Sequence, residues 1–129
     1  MLSDPIVVGT DGSASAELAV DRAGELAKAL DAPVHIVSVL ETPRRAPADA
    51  EEALASSRER LEATGVQVQT HLRAGAAAAE LMKIAEAEHA QMIVVGNRGM
   101  TGGRRVLGSV PNDVSHYARC GVLIVPTQL

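Results

Sequence analysis

The sequence predicts an α/β domain in which an open parallel sheet is covered by helices on both faces. Two observations lead to this fold class: short β-branched segments alternate with longer helical patterns, and three of the short segments are apolar throughout. Alternation of this kind favours a parallel sheet, and strands buried on both faces read as continuous apolar runs. With 129 residues, 47% of them apolar, and no internal repeat, the chain is expected to form one domain spanning residues 1–129.

Five segments have the length and composition of strands, since each is rich in β-branched residues and bounded by Gly, Pro or charge. They are Pro5–Gly9 (PIVVG), Val34–Val39 (VHIVSV), Val66–Leu72 (VQVQTHL), Gln91–Gly96 (QMIVVG) and Gly121–Pro126 (GVLIVP). The first, fourth and fifth are the apolar ones. The third alternates, with Val66, Val68 and Leu72 against Gln67 and Gln69, which predicts an edge strand with one wetted face.

Helical patterns follow the first four strands. They cover Ser13–Leu30, Ala48–Ala63, Ala76–His89 and Ser109–Arg119. The helical period places six apolar residues of the first pattern on one face, namely Ala16, Ala19, Ala23, Leu26, Ala27 and Leu30. The charged residues of that helix, Glu17 among them, fall elsewhere. The segment ETPRRAPADAEEA, residues 41–53, is the one loose connection expected.

Composition and charge argue against two classes of partner. The net charge is −4 and there is a single aromatic residue, Tyr117, so we expect no nucleic-acid binding, which needs a basic face and stacking platforms. No apolar run approaches the roughly 20 residues needed to span a bilayer, so we expect no membrane span. Cys120 is the only cysteine, which excludes an internal disulfide and favours a reducing compartment, the cytoplasm.

Two loops that follow strands have unusual compositions. One is GTDGS, Gly9–Ser13, and the other is the glycine-rich stretch from Gly96 to Gly108. In an open parallel sheet, ligands bind beyond the carboxyl ends of the strands where the strand order reverses. If the first and fourth strands are neighbours there, the two loops face each other across one crevice.

The glycine-rich loop contains five of the eleven glycines of the chain together with Arg104 and Arg105. Glycines let backbone N–H groups approach an anion, and the helix that follows offers unpaired N–H groups and a favourable dipole. Ser109 can cap that helix or donate its hydroxyl to a phosphate. The loop therefore predicts a phosphate cradle, with a mobile surface loop bearing solvated arginines as the alternative.

Asp11 has two interpretations. It can be an ordinary turn aspartate that accepts from N–H groups at the start of the first helix. It can also accept a hydrogen bond from a base amino group, or help to hold a metal near phosphates. The sequence alone leaves both open.

Other site signatures are missing or poorly arranged. There is no Walker-type P-loop, no G-x-G-x-x-G fingerprint and no G-x-S-x-G elbow. Asp113, Ser115 and His116 lie too close along one helix to form a relay, because side chains at that spacing diverge. The histidines lack metal-ligand spacing and are expected to be structural or surface residues: His35, His71, His89 and His116. We therefore expect no catalytic set, no protein-bound metal site and at most slow ATP hydrolysis.

Three stretches together resemble the universal stress protein family: VVGTDGS, VSVLE, and VVGNRGMTGGRRVLGSVP with the later VLIVP. The resemblance covers about Asp4 to Thr127. It implies a Rossmann-like five-stranded parallel sheet in the order 3-2-1-4-5, and, in the nucleotide-binding subgroup, an ATP site with accompanying Mg²⁺. That subgroup has the motif G-x-x-G, nine residues, then G-[ST]; here eight residues separate Gly99 from Gly108.

The resemblance also implies roles for individual residues. Asp11 and Val39 would border adenine and ribose, Val95, Gly96 and Gly99 would line the nucleotide, and the phosphates would lie at Gly108, Ser109 and Val110. The full predicted nucleotide-binding set is Gly9, Thr10, Asp11, Val39, Val95, Gly96, Arg98, Gly99, Gly108, Ser109 and Val110.

The expected function is that of a cytoplasmic ATP-binding regulatory or sensing module of the stress response. The alternatives are an AMP or cyclic AMP binder, and a dimeric interaction module with an empty pocket, which the shorter loop favours. The family resemblance further implies a homodimer through the fifth strand, and the uncharged run Val122, Leu123, Ile124 and Val125 has no device that discourages edge pairing.

Overall fold

A computed structural model describes residues 2–41, 46–97, 100–101, 104–105 and 107–126, the two short pairs by their backbone alone. Strand and helix alternate along the chain, except that two short strands follow the fourth strand. The elements are β1 (Ile6–Gly9), α1 (Ala14–Leu30), β2 (Val34–Leu40), α2 (Pro47–Glu62), β3 (Val68–Ala74), α3 (Ala77–Ala87), β4 (Met92–Gly96), β5 (Met100–Thr101), β6 (Arg104–Arg105), α4 (Ser109–Tyr117) and β7 (Gly121–Val125).

Five of these strands form one all-parallel sheet in the order β3-β2-β1-β4-β7. The predicted order 3-2-1-4-5 is thereby confirmed, with β7 as the fifth strand. β5 and β6 are two-residue strands that pair antiparallel within the glycine-rich loop, a ladder that the sequence analysis did not predict. The order reverses between β1 and β4, so the carboxyl ends of these two strands border the switch point.

Two aliphatic clusters cover the faces of the sheet, because successive strand residues point to opposite sides. On one side Ile6 and Val8 pack with residues of α1 and α2, and on the other side Val7 packs with residues of α3 and α4. All three side chains have no exposed surface. Helices on both faces are as the sequence predicted.

The buried face of α1 differs from the prediction at two positions. Ala16, Ala19, Ala23 and Ala27 are buried as expected, and Leu26 packs partly against the core. Leu30 is 42% exposed, so its assignment to the core face was wrong. Leu30 is the last residue of the helix, where Asp31 turns the chain into the left-handed conformation, and Val20 contributes to the buried face in addition to the alanines.

The two edge strands of the sheet are chemically different. β3 exposes Gln69 and Arg73 on its outer positions, which confirms the predicted wetted edge strand. β7 has half-buried Val122, Leu123 and Ile124 along its length. Leu123 packs against the α1 side of the sheet, and its two neighbours pack against the α3 and α4 side.

The strands β2 and β3 bring two histidines together that the sequence analysis treated as isolated. His35 Nδ1 and His71 Nε2 lie 2.7 Å apart, and the rings stack with centroids 5.0 Å apart. Burial lowers the pKa of His35 against an opposing effect of Glu88. Burial, His35 and Arg73 lower the pKa of His71, again opposed by Glu88. The pair is a structural contact between strands.

In the part of the chain that the structure describes, no helix combines the length and apolar character needed to cross a membrane.

Candidate functional site

A cleft of about 550 Å³ opens at the carboxyl ends of β1 and β4, where the switch point was expected to form a site. This volume is in the range of small-molecule sites in proteins. The end of β2 and the first residues of α3 and α4 complete its walls. The lining residues are Gly9, Thr10, Asp11, Ala16, Val37, Val39, Leu40, Glu41, Ala77, Leu81, Val95, Gly96, Gly108, Ser109, Val110 and Pro111.

Every residue of the predicted binding set that the structure describes lines this cleft. Arg98 and Gly99 lie outside the described residues, as do Gly102 and Gly103 of the same loop, and the side chains of Arg104 and Arg105 are not described. The two loops that the sequence analysis joined into one crevice therefore do meet, through Gly9–Asp11 on one side and Gly108–Val110 on the other.

The turn between β1 and α1 is held by three consecutive side chain to backbone hydrogen bonds. The Gly12 N–H donates to Thr10 Oγ1 at 3.0 Å, the Ser13 N–H donates to Asp11 Oδ1 at 2.9 Å, and the Ala16 N–H donates to Ser13 Oγ at 3.2 Å. Ser13 is thus the N-cap of α1, and Asp11 forms the turn contact that one of its two interpretations requires. Gly12 adopts φ +83°, a left-handed conformation that favours glycine.

A carboxylate beneath this turn was missed by the sequence analysis. Glu17 Oε2 accepts from the Thr10 hydroxyl at 2.8 Å, while Oε1 accepts from the Ser57 hydroxyl at 2.5 Å and from Arg60 at 2.8 Å. Arg60 also contacts Asp21 Oδ1 at 2.9 Å. Burial acts to raise the pKa of Glu17, but the hydrogen bonds from Ser57, Arg60 and Thr10 outweigh it and the pKa is lowered. Glu17 is therefore ionised and shared between the turn and α2.

The N-termini of α3 and α4 line the cleft together with Ala16 from the first turn of α1, whose N–H is capped by Ser13. The α3 and α4 ends differ in how their N–H groups are satisfied. At the start of α3, the Ala77 N–H donates to Glu41 Oε1 at 2.9 Å, so that end already holds a carboxylate. At the start of α4, Gly108 is the N-cap, and no described side chain accepts a cap hydrogen bond. The proposed capping role of Ser109 was wrong: Ser109 is the first helical residue, and its side chain is exposed. The α4 end is therefore the one suited to an external anion.

The walls between these polar ends are apolar. Val37, Val39 and Leu81 line them from β2 and α3, and Val95 lines them from β4. Gly9 matters here because a Cβ at this position would lie 3.0 Å from Leu81 Cδ1. Any side chain at this position would require Leu81 to shift by a few tenths of an ångström or more. The cleft thus combines an apolar wall with hydrogen-bonding groups from the β1–α1 turn and the start of α4.

The residues tested as rival sites do not assemble. Asp113, Ser115 and His116 are all exposed on α4, and Ser115 Oγ donates to the Asn112 carbonyl at 2.8 Å instead of to a histidine. Among the described residues, no group of three or more His, Cys, Asp or Glu side chains could hold a metal ion. A second cavity of about 220 Å³, between α3 and the end of α4, is lined largely by apolar residues.

These features define the class: a doubly wound α/β domain with a cleft at its switch point. The model of the universal stress protein family matches residues 3–126, and the chain belongs to this family. A universal stress protein of Mycobacterium tuberculosis (strain ATCC 25618 / H37Rv) is 39% identical over 140 aligned positions, which cover 95% of each chain.

Solved structures agree. A universal stress protein crystallised in complex with cAMP is 35% identical and superposes with a TM-score of 0.84, covering 99% of this chain and 100% of its own. A universal stress protein from Archaeoglobus fulgidus in complex with dAMP is 28% identical, with a TM-score of 0.78 and coverage of 97% and 99%.

Proposed function

We propose that this protein binds an adenine nucleotide, ATP accompanied by Mg²⁺, in the switch-point cleft, and acts as a regulatory or sensing module of the stress response. The observation that supports this most directly is the pairing of an uncapped α4 N-terminus with Asp11 across a 550 Å³ cleft. One end suits a negative charge, the other offers an acceptor, and the middle is apolar.

The phosphates belong at the α4 end. Gly108 and Val110 present backbone there, and the exposed Ser109 hydroxyl can donate to a phosphate oxygen. The α3 end is disfavoured for phosphates because the Glu41 carboxylate already occupies it and would repel a second anion. This difference between the two helix termini gives the nucleotide one orientation in the cleft.

The base belongs near Asp11 and Val39. A carboxylate oxygen can accept more than one hydrogen bond, so the contact to Ser13 does not prevent Asp11 from accepting from the adenine amino group. The side chains of Val39, Leu81 and Val95 offer apolar surface to the base and sugar. Gly9, Thr10 and Gly96 bring backbone close to the ligand.

ATP is preferred in this proposal over AMP or cyclic AMP because the α4 terminus offers N–H groups to phosphates and the preceding sequence is rich in glycine, a composition typical of phosphate-binding loops. The relatives bound to cAMP and to dAMP support the adenine part of the assignment and keep the monophosphates as competitors. Mg²⁺ would be held chiefly by the phosphates, since this ion commonly binds through substrate phosphates with few protein ligands.

The protein is proposed to bind and not to turn over its nucleotide. Both described carboxylates of the cleft are engaged with backbone N–H groups: Asp11 with Ser13 and Glu41 with Ala77. Neither is arranged with a nucleophile in the way that general-base catalysis requires. We expect hydrolysis to be slow or absent.

We further propose a cytoplasmic homodimer that pairs through β7. The half-buried apolar side chains of Val122, Leu123 and Ile124 would be covered by a second copy, and the edge offers unpaired backbone groups. A dimer whose cleft stays empty is the second candidate function, and the glycine-rich loop, one residue shorter than the family motif, favours it.

One set of measurements separates these functions. The chain has no tryptophan and one tyrosine, so a co-purified adenine nucleotide would dominate its ultraviolet spectrum and can be identified by chromatography after denaturation. Calorimetry on nucleotide-free protein with ATP, AMP and cyclic AMP then ranks the ligands. Tightest binding of ATP supports the proposal, whereas no heat with any of the three leaves the interaction module.

A further inference from the structure

We propose that Glu17 is a positioning residue for the nucleotide cleft: its carboxylate fixes the Thr10 hydroxyl, which in turn holds the Gly12 N–H and the turn that bears Asp11. This inference rests on the proposed function, because it assigns a role within the same cleft. It concerns a residue that does not line the cleft and that would not contact the ligand.

The first step is the contact between Glu17 and Thr10. The Thr10 side chain is 8% exposed, and its hydroxyl has one proton, which it donates to Glu17 Oε2 at 2.8 Å. This donation sets the direction of the hydroxyl and leaves its lone pairs facing the Gly12 N–H, 3.0 Å away. Without the carboxylate, the hydroxyl is free to rotate and to donate elsewhere.

The second step is the turn itself. The backbone bond from the Thr10 N–H to the Val37 carbonyl, 2.9 Å, holds the start of the turn. Beyond it, Gly12 has φ +83°, and the N–H groups of Gly12, Ser13 and Ala16 are held by side-chain acceptors at Thr10, Asp11 and Ser13. Asp11 lies between Thr10 and Gly12, the two residues that this side-chain hydrogen bond of Thr10 joins. A change in the Thr10 contact therefore shifts the carboxylate that is proposed to meet the base.

The third step is the anchoring of Glu17. Its side chain is 23% exposed and accepts from Ser57 and Arg60 of α2, and Ser57 is 1% exposed. An ionised carboxylate held by donors from a second helix is a rigid support. The contacts run from α2 through Glu17 and Thr10 to Gly12. They connect α2 to the turn that lines the cleft.

The test uses Glu17→Ala in the full chain, with Glu62→Ala as a matched control. Glu62 pairs with Arg58 on the exposed side of α2, at 3.3 Å, and has no contact with the turn. Two readouts are made: the ATP dissociation constant by calorimetry, and the Gly12 amide shift and hydrogen exchange by NMR in nucleotide-free protein. We expect Glu17→Ala to weaken ATP binding on the order of tenfold and to expose the Gly12 amide, and Glu62→Ala to do neither.

Conservative variants separate positioning from general stability. Glu17→Gln retains an oxygen that can accept from Thr10, so it should recover part of the lost affinity. Thr10→Val removes the hydroxyl and keeps the shape of the side chain. If Glu17 acts through that hydroxyl, the effects of Glu17→Ala and Thr10→Val will be non-additive in a double-mutant cycle. Should Glu17→Ala not fold, Glu17→Gln and Thr10→Val still supply both readouts.

Two results would overturn the proposal: ATP affinity of Glu17→Ala within about twofold of the wild type, or a Gly12 amide that shifts and exchanges as in the wild type. Failure of the proposed function looks different. In that case the wild type binds no nucleotide, while the Gly12 amide, measured without nucleotide, still shows whether Glu17 sets the turn.

Discussion

Replacement of Asp11 by alanine separates its turn contact from its proposed contact with the base. The turn contact is the hydrogen bond from the Ser13 N–H at 2.9 Å, and its loss at a half-buried site should cost about 1 kcal/mol of stability. The proposed contact joins a charged acceptor to a base amino group, worth about 1.5–3 kcal/mol, so ATP affinity should fall about 10-fold to 100-fold.

Ser13→Ala is the matched control for this experiment. It removes the N-cap contact to the Ala16 N–H at 3.2 Å, which also costs about 1 kcal/mol, but Ser13 does not line the cleft. Both variants should lower the melting temperature by about 3 °C. Asp11→Ala should lose much more ATP affinity than Ser13→Ala, and its preference for ATP over GTP should shrink, because guanine has no amino group at the matching position.

Calorimetry and thermal unfolding measure these quantities in parallel. Equal losses of affinity in Asp11→Ala and Ser13→Ala would refute the reasoning, since the effect would then come from the start of α1 and not from contact with the base. Asp11→Asn adds a finer test: it keeps an oxygen for the Ser13 N–H, and any remaining loss of affinity reports the carboxylate charge.

Four further outcomes are expected. Ile93→Ala, at a site with no exposed surface, should lower the free energy of unfolding in urea by about 3 kcal/mol, and a loss below about 1 kcal/mol would contradict the packing described. The pKa of Glu17 is lowered from 4.5 in the folded protein, so as the pH drops below 4.5 the unfolded chain takes up a proton more readily than the folded one, and the stability due to this residue should fall. In urea denaturation, the difference in unfolding free energy between the wild type and Glu17→Gln should therefore shrink below this pH. His35 and His71 have lowered pKa values, so protonation favours the unfolded chain and the free energy of unfolding should fall below pH 6.5. In urea denaturation at several pH values, His71→Gln should make this fall less steep. An unchanged dependence of the unfolding free energy on pH would contradict the role of the pair. If the proposed dimer through β7 forms, Ile124→Lys should convert it to a monomer in analytical ultracentrifugation; a dimer with an unaltered sedimentation coefficient would place the interface elsewhere.

The sheet could be predicted from the sequence because its signals are local. Short segments that are bounded by Gly and Pro and apolar on both faces indicate strands covered by helices on both sides, without knowledge of their neighbours. The alternation of Val66, Gln67, Val68 and Gln69 likewise marks β3 as an edge. The meeting of the two loops follows from one topological rule once β1 and β4 are adjacent.

The contacts that were missed join residues distant along the chain. Glu17 reads as a solvated residue of α1, and nothing in its neighbourhood indicates Ser57 or Arg60, which lie about 40 residues away. His35 and His71 are likewise separated by 36 positions and meet only through the register of β2 and β3. The position of Glu17 in the first turn of α1, directly after the loop that borders the cleft, is a signal that could have drawn attention to it.

The errors at Leu30 and Ser109 have a common physical reason, since both lie at helix ends. Helical periodicity assigns a face to Leu30 but does not show that the helix ends at this residue. Ser is a favoured N-cap, yet Gly108 takes that position and places the hydroxyl one residue later. End positions depend on the exact residue at which a helix begins or stops, which the pattern does not fix.

The two edge strands of the sheet, β3 and β7, differ in polarity, and this difference bears on how many copies the proposed assembly would contain. Arg73 and the neighbouring polar side chains of β3 discourage a further strand from adding there, whereas β7 has no such protection. In the proposed dimer, β7 of each copy would pair with β7 of the other, so the same edge would be used twice. Such a symmetric contact would leave no unprotected edge for a third copy, and filament growth through the sheet would stop at two subunits.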